Sequence, residues 1–228
     1  MPVFHPIITD IMRFYLFTTL LFAASLITEA QGVRFSVFAD PQIAWLSPET
    51  RNADFAGVRG GIDAGFEMDN FFSSNYAFST GLSINTTGGK LKFNEPVPLR
   101  FKGSTDTIAP GQVVTYRLQY ANLPIGLKFT TREIGYTTVF AKIGMGGHFR
   151  LRSRADIYAR GIEKESITDE IELFNFSYHF GAGIHYSLGG QTAVMAGFEY
   201  RHRFIDIASG SEYKALLNTI SMKLGLLF

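Results

Sequence analysis

Groups able to do acid–base, nucleophilic or metal chemistry recur on one face of an alternating chain. Arg59, Asp63 and Glu67 share that face with Gly61 and Gly65, and Lys142, His148, Arg150 and Arg152 share it with Gly144 and Gly146. His179 and His185 fall in phase with Ser177, Gly181 and Gly183, and Glu199, Arg201 and Arg203 with Gly197, while Lys128 and Lys223 hold the same phase in their own segments. Three histidines invite a metal ion, but on one strand His179 and His185 would stand about 20 Å apart. They cannot share an ion without a bend. Ser177 beside His179, and His202 near Asp206, supply parts of an acyl-transfer site without a complete set of nucleophile, base and orienting group. The mixture of signs fits mutually paired charges better, because a buried charge must be paired. No catalytic, metal or cofactor site is therefore expected. A proton or ion path through the positive groups is the sharper alternative.

The elements that position these groups read as strands. In the closing stretch, residues 215–228, Leu216, Ile220, Met222, Leu224, Leu226 and Phe228 oppose Thr219, Ser221, Lys223 and Gly225, the period-2 signature of a strand. The same alternation gives strands near 33–45, 58–68, 76–84, 113–130, 139–152, 172–186 and 194–204. Pro41 marks a bulge or an unpaired position in the first, and Asp69-Asn70 a tight turn after the second. In the fourth, the apolar phase passes from Tyr116, Leu118 and Tyr120 to Leu123, Ile125, Leu127 and Phe129, which predicts a β-bulge near Pro124. A small hairpin is expected around 90–102, within a long connection over 86–112.

Lys plus Arg number 21 and Asp plus Glu 20, which argues against a nucleic-acid partner bound through a basic field. Cysteine is absent, so disulfides and thiolate chemistry are excluded. Residues 12–30 run from Arg13 through an apolar core to Ala30 and read as a cleaved signal peptide spanning residues 1–30, with translation starting at Met12. A single domain over residues 31–228 follows.

Two arrangements satisfy the alternation: a soluble barrel with its apolar face inward around a ligand, or a membrane barrel with that face toward lipid. Gly and Ser on the polar face suit a narrow interior. Trp45, Tyr116, Tyr120, Tyr136, Phe149, Tyr186, Tyr200, Phe204 and Phe228 suit interfacial girdles, and the chain ends on Phe228. The expected fold is thus an all-β, transmembrane, antiparallel up-and-down β-barrel of about eight strands. Connections alternate long and short, which places both mature termini on the periplasmic side and the loops 47–57, 86–112 and 153–170 outside. The charged set named above, Arg152 apart, then fills a lumen just wide enough for its side chains.

Tyr120-Ala121-Asn122-Leu123-Pro124-Ile125-Gly126-Leu127-Lys128 resembles the Tyr-Leu-Glu-Ile-Pro-Leu-x-Leu-Lys segment of the PorT-like outer-membrane β-barrel family. The runs 135–144 and 180–190 look like that family too, while Ala121 and Asn122 depart from its usual Leu and Glu. The resemblance implies a Gram-negative outer-membrane address, with the lipid bilayer and the barrel assembly machinery as partners. It also implies a structural role or one carried by the outside loops through protein partners, or, as the alternative, an accessory role in a type IX-like secretion apparatus. Phe228 becomes the expected assembly signal by resemblance to outer-membrane proteins generally.

Overall fold

The computed structural model describes residues 32–101, 104–167, 170–208 and 213–228. The expected signal peptide and the start at Met12 lie outside the described residues. The described residues form twelve strands: β1 Gly32–Pro48, β2 Ala53–Gly57, β3 Arg59–Ser73, β4 Tyr76–Phe93, β5 Val97–Phe101, β6 Ser104–Ile108, β7 Val113–Thr130, β8 Thr137–Ile157, β9 Ile162–Ser166, β10 Phe174–Gly189, β11 Thr192–Arg203 and β12 Ala215–Leu227. Eight of them pair antiparallel around a closed circuit, β1–β3–β4–β7–β8–β10–β11–β12 and back to β1. The expected barrel is the one observed.

Closure is made by the first and last strands. They run in one register from Ser36 opposite Leu227 to Pro48 opposite Ala215. Phe35 and Phe228 exchange backbone hydrogen bonds of 3.0 and 2.9 Å and stack their rings 6.5 Å apart. Pro41 lies opposite Ile62 of β3 but is unpaired toward β12, and neither ladder has a bulge there. The β1–β12 ladder omits residues 39–41 without shifting register, and the Leu224 N–H donates instead to the Asp40 carboxylate at 2.8 Å.

Every barrel strand carries a large exposed apolar side chain outward, among them Ile43, Phe66, Leu82, Ile125, Ile143, Phe180, Phe198 and Ile220, the last four strands' examples being 57, 53, 65 and 48% exposed. A continuous apolar surface of this kind around a closed sheet belongs against lipid. One end of the barrel has the short joins, at residues 74–75, 131–136 and 190–191; the other has the long connections. At this loop end β4, β7 and β8 run well beyond the 9 to 11 or so residues that a bilayer requires. β2 and β9 add to β4 and β8 there, and β5 and β6 form a separate hairpin.

Several sequence expectations are corrected. Asp69-Asn70 is not a turn: β3 continues to Ser73, because Asp69 points inward and pairs with Lys128. The hairpin lies at Val97–Phe101 and Ser104–Ile108 and not around 90–102, since β4 runs on to Phe93. The phase slip lies in β8 and not in β7. Gln119 faces Arg152 while Tyr120 faces Arg150, so Leu151 is the extra residue. β7 keeps one phase, with Tyr116, Leu118, Tyr120, Asn122 and Lys128 all buried inside. What changes along it is the chemistry of the interior, apolar at the loop end and polar at lipid depth. Tyr116 and Tyr120 are thus core residues and not girdle aromatics.

Removing Phe228 deletes its hydrogen bonds and ring contact with Phe35. The folded fraction, read as the heat-modifiable band on a gel, should fall; an unchanged band would show that closure does not need the last residue.

Candidate functional site

The interior holds three zones. At lipid depth the inward positions carry a connected set of charges. Lys223 Nζ lies 2.8 Å from Asp40 and 3.9 Å from Glu199, and Arg201 bridges Glu199 and Asp63 at 2.7 and 2.8 Å. Asn122 donates to Asp63 at 3.3 Å and to Ser83 at 3.3 Å, and its carbonyl lies 2.6 Å from His148 Nδ1. Nearer the turn end, Glu67 pairs with both Lys142 and Lys128, and Lys128 reaches Asp69 at 2.6 Å. With Ser177 bonded to His148 at 2.7 Å, all eight barrel strands contribute to this set.

Of the residues predicted for the lumen, Asp63, Glu67, Lys128, Lys142, His148, Glu199, Arg201 and Lys223 come together here. Three others are inward but held by aromatic or backbone contacts. Arg203 lies 4.0 Å over the Tyr120 ring, His185 stacks on Phe140 at 4.6 Å, and His179 packs against Gly144, where a Cβ would come within 2.8 Å of its Nε2. Arg150 is half-buried on the inner face beside Tyr120. Arg59 stands apart at the loop end, donating to the Thr87 carbonyl at 2.5 Å. Asp40, Asp69, Ser83 and Asn122 were not among the predicted lumen charges and partners. Asp40 and Asn122 sit in the inward phase of their strands, and Asp69 carries turn chemistry in its Asp-Asn pair.

His148 and Ser177 combine differently from the pairing that the sequence suggests. Ser177 meets His148 of the adjacent strand and not His179, which gives a serine–histidine–asparagine relay in the order of a nucleophile, a base and an orienting amide. All three side chains are buried, and each satisfies another's hydrogen-bonding group, as burial demands. The recess of about 400 Å³ at the turn end is lined by Arg34, Ser73, Asn75, Thr131, Arg132 and Glu133, with none of the relay residues. His202 lies on the outer face, bonded to Asn218 at 2.6 Å, while Asp206 accepts the N–H groups of Ala208 and Ala215. The two do not assemble. Among the described residues no group of His, Asp or Glu is arranged to hold a metal ion.

Above the charges lies an apolar zone. Leu46, Leu91, Phe93, Val114, Leu118, Ile157 and Leu217 from the barrel walls pack with Val97, Leu99, Phe101 and Ile108 of the β5–β6 hairpin and with Ile167, Ile171 and Ile207 of the other connections. Polar links cross it: Tyr116 and Tyr213 share a 2.8 Å hydroxyl hydrogen bond, and Arg100 of the hairpin pairs with buried Glu170 at 3.2 Å. Burial pushes both phenols up in pKa. A smaller cluster, Phe38, Phe140, Met195 and Leu227, lies toward the turn end.

A closed eight-stranded sheet with lipid-facing rings and a charged interior defines a transmembrane β-barrel. Residues 13–209 match the outer membrane protein beta-barrel domain, and the chain belongs to that family. Its place is the outer membrane. No curated protein matches the sequence. Solved structures that resemble it include Neisserial surface protein A (13% identity, 86% of this chain and 98% of that one, TM-score 0.48). The outer membrane protein OprG from Pseudomonas aeruginosa is similar at 7% identity (88% and 97% covered, TM-score 0.48). So is Ail, the attachment invasion locus protein of Yersinia pestis, at 13% identity (87% and 100% covered, TM-score 0.42).

Glu67→Leu leaves two buried ammonium groups short of a partner and should cost about 3–5 kcal/mol in urea unfolding from vesicles. Glu67→Leu/Lys142→Met should recover most of that loss, because Lys128 keeps Asp69. At the loop end, Asp156 accepts Arg117 Nε at 2.5 Å and the Lys164 N–H at 2.7 Å, holding Lys164 at φ 53°. Burial raises the Asp156 pKa, but these hydrogen bonds outweigh it and hold the carboxyl below its usual range. A depressed folded value means that its stabilisation is complete above the unfolded pKa of about 3.9 and is lost as pH falls through the folded one. Intrinsic-rate-corrected exchange protection of the Lys164 amide should therefore be flat above about pH 4 and decline below it.

Proposed function

We propose that the protein is a sealed barrel whose working surface is its set of long connections, with the lumen serving stability and not transport. The observation that carries this is a charge network at lipid depth beneath an apolar cap to which the β5–β6 hairpin contributes. A pore needs a wet path, and ion pairs such as Arg201–Asp63, Lys223–Asp40 and Lys128–Asp69 span a lumen of this width from wall to wall. In this reading both termini are periplasmic, the barrel assembly machinery inserts the chain through its terminal strand, and the long connections meet protein partners outside the cell. The PorT-like segment 120–128 supports a second role for the same surface, as an accessory part of a type IX-like secretion apparatus. Catalysis has no part in either reading.

Purified protein in planar bilayers should show no conductance steps. Steps that survive removal of the hairpin's closing contact in Arg100→Ala, and are present in the wild type, would overturn the sealed reading. Cross-linking from native membranes should capture proteins through residues 94–112 and 158–173, and recovery of secretion components would select the second role. Hydrolysis of lipid or peptide substrates that is lost in Ser177→Ala or His202→Ala would instead make the protein an enzyme.

A further inference from the structure

The bulge at Leu151 places a second set of charges on the outer face of the barrel. Ser153, Ala155 and Ile157 point inward above it, which turns Arg152, Arg154 and Asp156 outward. Inward Leu91 and inward Tyr116 and Leu118 turn Lys90 and Arg117 outward in the same way. Register arranges these positions in rows across β8, β7 and β4. Phe149, Ala121 and Ile84 form the last apolar row; Arg152, Gln119 and Thr86 lie next above it; then come Arg154, Arg117 and Gly88, and then Asp156, Thr115 and Lys90. Rows on the same face are about 6–7 Å apart. The cations therefore begin one row above the lipid-facing band, at the depth of headgroups.

Within this set Arg117 is paired with Asp156, and the other cations have no ion pair among the described residues. Arg154 faces Arg117 across the strands, an unfavourable like-charge pair unless an anion lies nearby. Asp156 is committed to Arg117, Tyr158 and Lys164, and neither Arg152, Arg154 nor Lys90 has an ion pair among the described residues. Glu163 and Glu165 of β9 are the nearest other acids in sequence. On the opposite side of the barrel the same height is occupied by Trp45, Tyr200, His202 and Asn218, with no cation on those strands' outer faces. The basic sector is carried by β4, β7 and β8, with Arg59 of β3 beside Gly88 at its edge.

We propose that this sector is a binding site for an anionic lipid of the leaflet at the loop end, its phosphate-bearing headgroup held by Arg152, Arg154 and Lys90. The rows favour a lipid over a soluble anion, because the cations continue directly into an apolar surface. Small Ala121 sits between exposed Ile84 and Phe149 in the outward row just below the cations. Guanidinium groups bind phosphate oxygens in bidentate fashion, which suits arginine to this position.

The test uses the full folded protein in nanodiscs of phosphatidylcholine containing a minor fraction of phosphatidylglycerol, with lipid retained after detergent extraction measured by native mass spectrometry. The wild type should retain phosphatidylglycerol in preference to phosphatidylcholine. Arg152→Gln/Arg154→Gln/Lys90→Gln should lose at least about fivefold of that preference, the change expected for one basic group at an anionic surface. Arg34→Gln/Arg132→Gln, at the turn end, should keep it, and heat-modifiable migration verifies that each variant is folded. Millimolar inorganic phosphate should not displace the lipid. Equal retention by the triple variant and the wild type, displacement by free phosphate, or an acidic protein held at this sector in place of lipid would each overturn the proposal.

Discussion

Backbone amides within a bilayer have no water to bond with, so a sheet that crosses one must close on itself. In this chain closure falls to β1 and β12, joined in one register and finished by the mutual hydrogen bonds of Phe35 and Phe228. The rest follows from that ring. Eight strands make a lumen that side chains fill, and a period of two sends every second residue into it. Outward positions become lipid contacts, and inward ones must satisfy themselves.

The interior meets this demand in two ways. At lipid depth, long charged side chains from opposite walls meet in the middle, and glycines such as Gly144 make room for the rings of neighbouring strands. Above the bilayer the same inward positions switch to Leu46, Phe93, Tyr116 and Leu118, and the β5–β6 hairpin supplies the remaining apolar cover. The charge network binds the walls to one another, and the cap seals them. Removing Glu67 is costly because it leaves buried Lys142 without its carboxylate.

The bulge in β8 links the two regions. One extra residue, Leu151, keeps Arg150 inside and sends Arg152 and Arg154 outside, so the strand changes function as it leaves the bilayer. Bulges commonly re-aim side chains at barrel rims. Here the re-aimed pair lies just above the apolar band, next to Arg117 and across from an aromatic sector.

The architecture was legible because alternation is local: each strand's period of two, the Gly-rich turns and the terminal Phe228 can be read without knowing any partner. The same alternation identified most of the lumen, since Asp63, Glu67, Lys142, Glu199 and Lys223 share one phase with small residues. Asp69 was missed because an Asp-Asn pair carries turn chemistry, and only its meeting with Lys128 from β7 reveals a strand. The bulge was assigned to the wrong strand for a related reason. An apolar-to-polar change along an inward face looks the same in sequence as a phase slip, and only the register between β7 and β8 separates them. Sequence by itself thus determined the closed sheet and which residues share a face. Tertiary structure decided which charges pair, where the interior turns apolar and which arginines turn outward, because each of these depends on contacts between strands that are far apart along the chain.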